Sequence, residues 1–208
     1  HPKLNVDLKR LVSFTEKARS AGLAPETRVS SFRAVQLQRV RLVPASEVAA
    51  VLELDDRSQV YEMERIRSLD TAPVIYERRV LRADLCPGLG RGDLSGSLYS
   101  LFHDRFCLRL EGVAQRIRAR NLVAEHARML DVHEGTAVLE LAGVGYLTDG
   151  TPLWYEETLY RGDTYEFVNA VRATGEGPQS TLDPRTPDTH LWYRWNQGEP
   201  SGTTDSSM

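Results

Sequence analysis

Residues 59–84 read QVYEMERIRSLDTAPVIYERRVLRAD, and they define the fold because the chain carries a second version of this segment. The second version, AVLELAGVGYLTDGTPLWYEETLYRGD, occupies residues 137–163. Each version contains two runs rich in β-branched and aromatic residues. Turn-forming residues join the runs, Asp70-Thr71 in the first version and Asp149-Gly150 in the second. This pattern predicts one β-hairpin in each stretch.

A short helical pattern precedes each hairpin, and the two units align over residues 47–84 and 125–163 with one inserted residue near the turn. The shared positions are Leu52 with Leu130, Glu62 with Glu140, Tyr76 with Tyr155, Glu77 with Glu156, Arg82 with Arg161 and Asp84 with Asp163. Such agreement predicts a duplicated helix-hairpin unit whose two copies share one sheet.

The remaining segments predict further helices and strands, so the expected fold class is α+β. Apolar residues at helical spacing predict a first helix from Leu4 through Ala18, ended by Gly22. The other predicted elements are one or two strands between Arg28 and Leu42, a helix beginning near Asp93 to Ser97, and a strand from Cys107 to Arg120. From residue 172 onward, glycine, proline, serine and threonine predict a mostly disordered tail.

The composition is that of a soluble globular domain. The chain has 208 residues and a net charge of −3, and its basic residues are spread among acidic ones. This balance predicts that these residues do not bind nucleic acid themselves. No apolar run approaches the roughly 20 residues that cross a bilayer, which predicts a cytoplasmic protein. Cys86 and Cys107 have no Cys-x-x-Cys spacing, so neither a disulfide framework, a metal site nor a cofactor is predicted.

Arg65 and Arg67 correspond to Gly143 and Gly145 in the second copy, so the scaffold itself does not require arginine at these positions. Because residues two apart in a strand point to the same face, two guanidinium groups should project together. This arrangement fits a clamp for phosphate or carboxylate, and the two glycines are expected to leave room for a ligand. The alternative is an arginine pair matched to a nearby acidic residue: Glu62, Glu64 or Glu77.

A second candidate is Gly96-Ser97-Leu98-Tyr99, at the start of a predicted helix. Free backbone N–H groups and the helix dipole favour an anion there, and the Ser97 hydroxyl could add a donor. The alternative is simple capping of the helix by Asp93, Ser95 or Ser97.

The sequence lacks the common catalytic motifs, which favours a binding domain over an enzyme. The chain contains no Gly-x-Ser-x-Gly, no Walker A loop and no Gly-x-Gly-x-x-Gly. His103, His126 and His133 lie in or near predicted helices without an evident serine or cysteine partner. We therefore expect a binding domain without catalytic residues.

Several short phrases occur in a particular order along the chain. They are LVSFTE at 11–16, PETRV at 25–29, ERIR at 64–67, PVIYE at 73–77, GSLY at 96–99, GTPLWY at 150–155 and YRGDTYEF at 160–167. In this order and spacing they resemble the UTRA domain of GntR-type bacterial transcriptional regulators, the branch typified by the histidine-utilisation repressor. The resemblance extends over about residues 4–167.

The resemblance implies a chorismate-lyase-like α+β fold with a ligand pocket and no catalysis. The pocket residues of sugar-phosphate-sensing members carry over to Arg65, Arg67, Glu77, Ser97, Tyr99 and Tyr160, with Ser13 and Phe14 closing the pocket from the first helix. Those members have a glutamate where this chain has Trp154. That departure implies a flatter or more apolar ligand than an amino-sugar phosphate.

The resemblance also implies partners: a small anionic metabolite, a second copy of the chain, and DNA bound only through an N-terminal winged helix-turn-helix domain. Residues 1–3 are then the end of a linker, residues 4–171 the UTRA domain and residues 172–208 the tail. Two other functions stay open. One is a chorismate-lyase-like enzyme acting on an aromatic carboxylate, and the other is a stand-alone sensor without a DNA-binding domain.

Overall fold

The computed structural model describes residues 4–7 and 14–168, with side chains from Phe14 to Phe167. The chain divides into two units, His1–Ala170 and Val171–Met208, and every described residue belongs to the first. The strands are β1 (Leu4–Asp7), β2 (Pro25–Gln36), β3 (Gln59–Leu69), β4 (Ala72–Arg82), β5 (Leu110–Asn121), β6 (Ala137–Leu147), β7 (Pro152–Arg161) and β8 (Tyr165–Val168). The helices are α1 (Phe14–Ser20), α2 (Ala45–Leu52), α3 (Leu98–Phe106) and α4 (Ala124–Met129), with 3₁₀ turns at Leu37–Arg39 and Arg91–Ser95.

Six strands form one antiparallel sheet in the order β2-β3-β4-β7-β6-β5. This order places β2, α2, β3 and β4 in one half and β5, α4, β6 and β7 in the other, with β4 and β7 joining them. Tyr76 faces Leu159 and Val80 faces Tyr155 on either side of the Arg78–Glu157 pair, so a pseudo-two-fold axis passes through that pair. The predicted duplicated unit is confirmed, and it includes one more strand than the sequence indicated.

Alternation along the strands separates two buried faces. On the first, which we call the α3 face, Leu94, Leu98 and Phe102 pack against Met63 and Trp154. On the second, the α2–α4 face, α4 packs against side chains of β3, β4 and β7, and Glu47 of α2 reaches Arg116 of β5. The two faces therefore present different environments on the same sheet.

The first predicted helix is wrong at its start. Leu4–Asp7 forms a strand that pairs in parallel with Tyr165–Val168, and α1 begins only at Phe14. Helical spacing of leucines cannot reveal this pairing, because the partner strand lies at the other end of the domain. Gly22 does end α1 as predicted, with a positive φ of 75° that glycine adopts without a Cβ penalty.

One other boundary also differs from the prediction. The helix expected to begin near Asp93 to Ser97 is α3, which begins at Leu98 with Ser97 as its N-cap and follows a 3₁₀ turn at Arg91–Ser95. The strand expected from Cys107 begins at Leu110, because Cys107 takes a left-handed conformation at the end of α3. The predicted linker at residues 1–3 and tail at residues 172–208 lie outside the described residues. Among the helices that are described, none is long and apolar enough to span a membrane.

His126 predicts a pH dependence of stability. Its ring is buried on α4 against Tyr76, with 5.3 Å between ring centroids, and Nδ1 has no hydrogen-bond partner in the described part of the chain. Burial, followed by the charges of Arg78 and Arg120, lowers the pKa of His126 below 6.5. As pH falls through about 6.5, the unfolded chain takes up a proton before the folded one, so stability should fall until the lower, folded pKa is passed.

We expect His126→Phe to remove this loss, measured by urea unfolding between about pH 7.5 and 5.5. His103→Phe is the matched control, because the side chain of His103 is 69% exposed. An unchanged pH dependence in His126→Phe would assign the effect to another group.

Candidate functional site

Five charged side chains meet on the α3 face, and we call them the arginine–glutamate cluster: Arg65, Arg67, Glu77, Arg79 and Glu156. Sheet register brings them together, because Arg65 lies opposite Glu77 on β4, and Arg79 lies opposite Glu156 on β7. Apart from Arg67, all of them are buried. Three positive charges face two negative ones, so the cluster carries a net charge of +1.

Glu77 is the centre of the cluster. Its two carboxylate oxygens accept hydrogen bonds from Arg65 Nη2 at 2.8 and 2.9 Å. Arg67 Nε and Arg79 Nε lie 3.2 and 3.1 Å from the same carboxylate. Burial alone would raise the pKa of Glu77, but the three guanidinium groups hold it well below its usual range. Glu77 is therefore ionised at neutral pH and fixes the positions of all three arginines.

Arg65 connects the cluster to the start of α3. Its fully buried guanidinium also donates to the carbonyl oxygens of Leu94 at 3.1 Å and Gly96 at 3.3 Å. Burial and the neighbouring Arg67 lower the pKa of Arg65 to about 9, which leaves it protonated at neutral pH. Arg65 is thus occupied by protein acceptors, as in the alternative interpretation of the arginine pair.

Arg67 is the accessible cation of the cluster. Its side chain is 12% exposed, and its guanidinium lies 5.2 Å from the centre of the Phe14 ring on α1. Its Nε lies 3.2 Å from Glu77, and within residues 14–167 neither Nη nitrogen of Arg67 has a hydrogen-bond partner. The predicted two-arginine clamp is therefore asymmetric: Arg65 organises the site, and Arg67 can meet an anion.

Arg79 and Glu156 belong to the cluster, although neither was among the residues predicted to form the site. Arg79 forms an ion pair with Glu156 and lies 4.7 Å from the Trp154 ring centre. Its Nη1 is buried without a hydrogen-bond partner among the described residues. The signal was present in the sequence, because Arg79 follows Glu77 at strand spacing and Glu156 aligns with Glu77.

Trp154 lies in the core beneath the cluster. It is fully buried and stacks on Phe102 at 5.6 Å, and its Nε1 donates to Glu156 at 3.3 Å. Its indole covers Gly145, where an added Cβ would lie 2.3 Å from the ring. At Gly143, an added Cβ would lie 2.8 Å from the backbone oxygen of Ala114.

The expectation that these two glycines leave room for a ligand is therefore wrong. The tryptophan fills the space above Gly145, and the backbone of β5 lies beside Gly143. Sequence spacing shows where side chains are small, but not what occupies the space. Trp154 itself can shape a ligand site only through the residues packed on it.

Three partly exposed polar residues border the cluster: Ser97, Tyr99 and Tyr160. Ser97 caps α3, since its Oγ accepts the Ser100 N–H at 3.4 Å, which is the capping role given as an alternative. Burial, then the charge of Glu156, raises the pKa of Tyr99 to about 12. The pKa of Tyr160 is raised well above 10 by burial and then by Glu156 and Glu77.

Both tyrosines are neutral near pH 7 and can donate a hydrogen bond. Phe14 contacts Arg67, and its predicted neighbour Ser13 lies outside the described residues. Within residues 4–7 and 14–168, no group of three or more His, Cys, Asp or Glu is placed to hold a metal ion.

Comparison with known proteins gives consistent matches. A family model described as the UTRA domain matches residues 20–166. The HTH-type transcriptional repressor NagR of Bacillus subtilis is 26% identical over 168 residues, covering 81% of this chain and 66% of NagR. The effector domain of PhnF from Mycobacterium smegmatis has a TM-score of 0.70 and 26% identity, covering 81% of this chain and 99% of that domain. A GntR-family transcriptional regulator from Enterococcus faecalis has a TM-score of 0.62 and 25% identity, covering 70% of this chain and 99% of that one.

The chain therefore belongs to the UTRA domain family. Its similarity to GntR-family regulators confirms the resemblance found in the sequence, and the chorismate-lyase-like α+β fold is the expected one. The match spans just under two thirds of the length of NagR.

Proposed function

We propose that this domain is the effector sensor of a GntR-type transcriptional repressor and binds a small anionic metabolite at the arginine–glutamate cluster. The observation that carries the proposal is Arg67: its terminal nitrogens have no hydrogen-bond partner in the described region, and it belongs to a cluster with a net charge of +1. A carboxylate or phosphate would supply acceptors to these terminal nitrogens and balance the extra positive charge, which would complete the site. NagR, a similar protein, is named as a transcriptional repressor, which supports this role.

The surroundings of Arg67 favour a ligand with an anionic end and a flat or apolar body. Phe14, Tyr99 and Tyr160 offer aromatic surface beside the cluster, and the two tyrosines add neutral hydrogen-bond donors. In this proposal the site acts by binding, and the Glu77 and Glu156 carboxylates serve to hold the arginines in place.

Occupancy would be transmitted through α1. An anion held by Arg67 changes the environment of Phe14, the first residue of α1. An effector shifts a conformational equilibrium only if it binds one state better than the other. In this proposal two copies of the domain associate in the cytoplasm, and the shift alters DNA binding by a helix-turn-helix domain attached through residues 1–3.

Arg67→Gln is expected to weaken effector binding at least about tenfold, because hydrogen bonds to charged groups contribute about 1.5–3 kcal/mol. A thermal-shift screen of phosphorylated sugars, aromatic acids and amino-acid catabolites would identify a binder, and titration calorimetry would compare the variants. Arg28→Gln is the matched control, because Arg28 is an exposed arginine on β2. Equal affinity of both variants for the binder would remove Arg67 from the effector site.

Two alternatives have direct tests. A lyase related to chorismate lyase would release pyruvate from chorismate, and we expect no release above the uncatalysed rate. A stand-alone sensor would have no basic helix-turn-helix encoded upstream of His1.

A further inference from the structure

A second charged cleft lies on the α2–α4 face and has a volume of about 390 Å³. Its charged lining residues are Arg78, Arg116, Arg118, Arg120, Glu140 and Glu157. We propose that this cleft is a second anion site, which takes a small oxyanion with two or more negative charges, such as a phosphoryl group or a polycarboxylate. This inference does not depend on the effector proposal.

Sheet register builds the cleft. Arg78, Glu157, Ala142 and Arg116 lie opposite one another on β4, β7, β6 and β5, forming one row across four strands. The small side chain of Ala142 lies within this row, between longer side chains. Because alternate residues of a strand share a face, β5 directs three arginines, at positions 116, 118 and 120, to the same side. A volume of this size suits a small metabolite.

The ion pairs within the cleft leave positive charge uncompensated. Arg78 pairs with Glu157 at 2.5 Å, and Arg120 pairs with Glu140 at 2.6 Å. Arg116 pairs with Glu47 at 3.1 Å. The lining itself has four arginines and two glutamates, while Glu47 and Glu64 lie outside it beside Arg116 and Arg78.

Arg118 is the arginine of the lining without an ion pair, because its register partner Glu140 is paired with Arg120. Among the residues given side chains, it has no ion pair or hydrogen bond, and it is exposed at the cleft. Nε of Arg78 is also buried without a hydrogen-bond partner in the same set of residues. A multivalent oxyanion would supply acceptors to these groups.

The other half of the duplicated domain serves as an internal control. Arg116 pairs in register with Ala142, and the equivalent pair is Ser31 with Glu64. Likewise, Arg120 pairs with Val138, and the equivalent pair is Val35 with Val60. The fold therefore accepts serine and valine where the cleft has Arg116 and Arg120, so packing of the sheet does not explain these two arginines. The twin of Arg118 is itself an arginine, Arg33, which lies opposite Glu62 and forms an ion pair with it.

The cleft is separate from the arginine–glutamate cluster. Strand β4 contributes to both sites, but Arg78 points to the α2–α4 face, whereas Glu77 and Arg79 point to the α3 face. The two sites lie on opposite faces of the sheet, so a substitution can alter one site without altering the other.

The test is titration calorimetry with pyrophosphate at constant ionic strength. We expect saturable binding to the wild-type chain, and about tenfold or greater weakening in the double variant Arg118→Gln/Arg120→Gln. Arg109→Gln is the matched control, because Arg109 is an exposed arginine directly before β5 and is not among the residues that line the cleft. Arg118→Glu should weaken pyrophosphate binding more than loss of the Arg118 charge alone, because it places a negative charge at the cleft. Arg118 makes no hydrogen bond or ion pair with the described residues, so this variant is the second measurement if the double variant is unstable.

Three results would overturn the inference. The first is a lack of saturable pyrophosphate binding to the wild-type chain, and the second is binding that only Arg67→Gln weakens. The latter would leave the effector proposal standing. The third is a double variant that binds pyrophosphate as tightly as the wild-type chain but differs from it in oligomeric state by sedimentation. That result would assign the arginine row to a contact between subunits.

Discussion

Glu77→Gln is expected to lower the free energy of unfolding by about 3–5 kcal/mol, the cost of removing one partner from a buried ion pair. Arg65 and Arg79 are almost entirely buried, and both depend on the Glu77 carboxylate. A neutral amide cannot compensate the charge of the arginines. Its NH₂ group is a hydrogen-bond donor and would face guanidinium groups, which are also donors. Urea denaturation followed by circular dichroism would measure the change.

The control for this variant is Glu166→Gln, which removes the same charge from an exposed position and should change stability by less than about 0.5 kcal/mol. Because the folded pKa of Glu77 is lowered, its contribution is present above the ordinary value of 4.5 and is lost as pH falls below it. Glu77→Gln should therefore also lose part of the acid sensitivity of the wild-type chain. A loss of stability as small as that of Glu166→Gln would contradict the central role of Glu77.

Gly145→Ala is expected to destabilise the domain by about 3 kcal/mol, the upper part of the range for an overpacked core. The added methyl group would lie 2.3 Å from the Trp154 ring, and this ring is held between Phe102, Tyr99 and Arg79. The ring cannot move without disturbing the arginine–glutamate cluster. Thermal and urea unfolding would measure the loss.

Gly112→Ala is the control, because an added Cβ at Gly112 meets nothing within 4 Å. Combining Gly145→Ala with Trp154→Leu should destabilise by less than the sum of the two single changes, since the smaller side chain removes the clash. Strict additivity would show that Trp154 does not determine the need for glycine.

Much of the fold could be predicted because its determinants are local. Each hairpin combines alternating apolar residues with its own turn, and the alignment of the two copies correctly indicated one shared sheet. Strand β1 could not be predicted in this way, because a partner 161 residues away determines it: Leu4 pairs with Tyr165. The left-handed backbone of Cys107 could not be predicted either, since its positive φ depends on how α3 ends rather than on cysteine itself.

The candidate site was predictable to the level of a strand face and no further. Spacing places Arg65 and Arg67 together, but the different burial of the two arginines depends on where α3 crosses the sheet. The resemblance to UTRA domains identified Glu77 as a site residue, but it did not show that three arginines contact this glutamate. Trp154 was expected to meet the ligand, yet it lies in the core, because Gly145 on the neighbouring strand gives its ring a place there.

The pseudo-two-fold sheet has a consequence for how such a domain can change during evolution. Most positions of β3 and β4 have a twin in β6 and β7, so selection can act on the two members of a pair separately. Glu62 and Glu140 have stayed alike, whereas Arg65 and Gly143 have diverged into a charged residue and a packing residue. An ancestral symmetric unit could thus acquire a new recognition surface in one half while the other half preserved a folded protein.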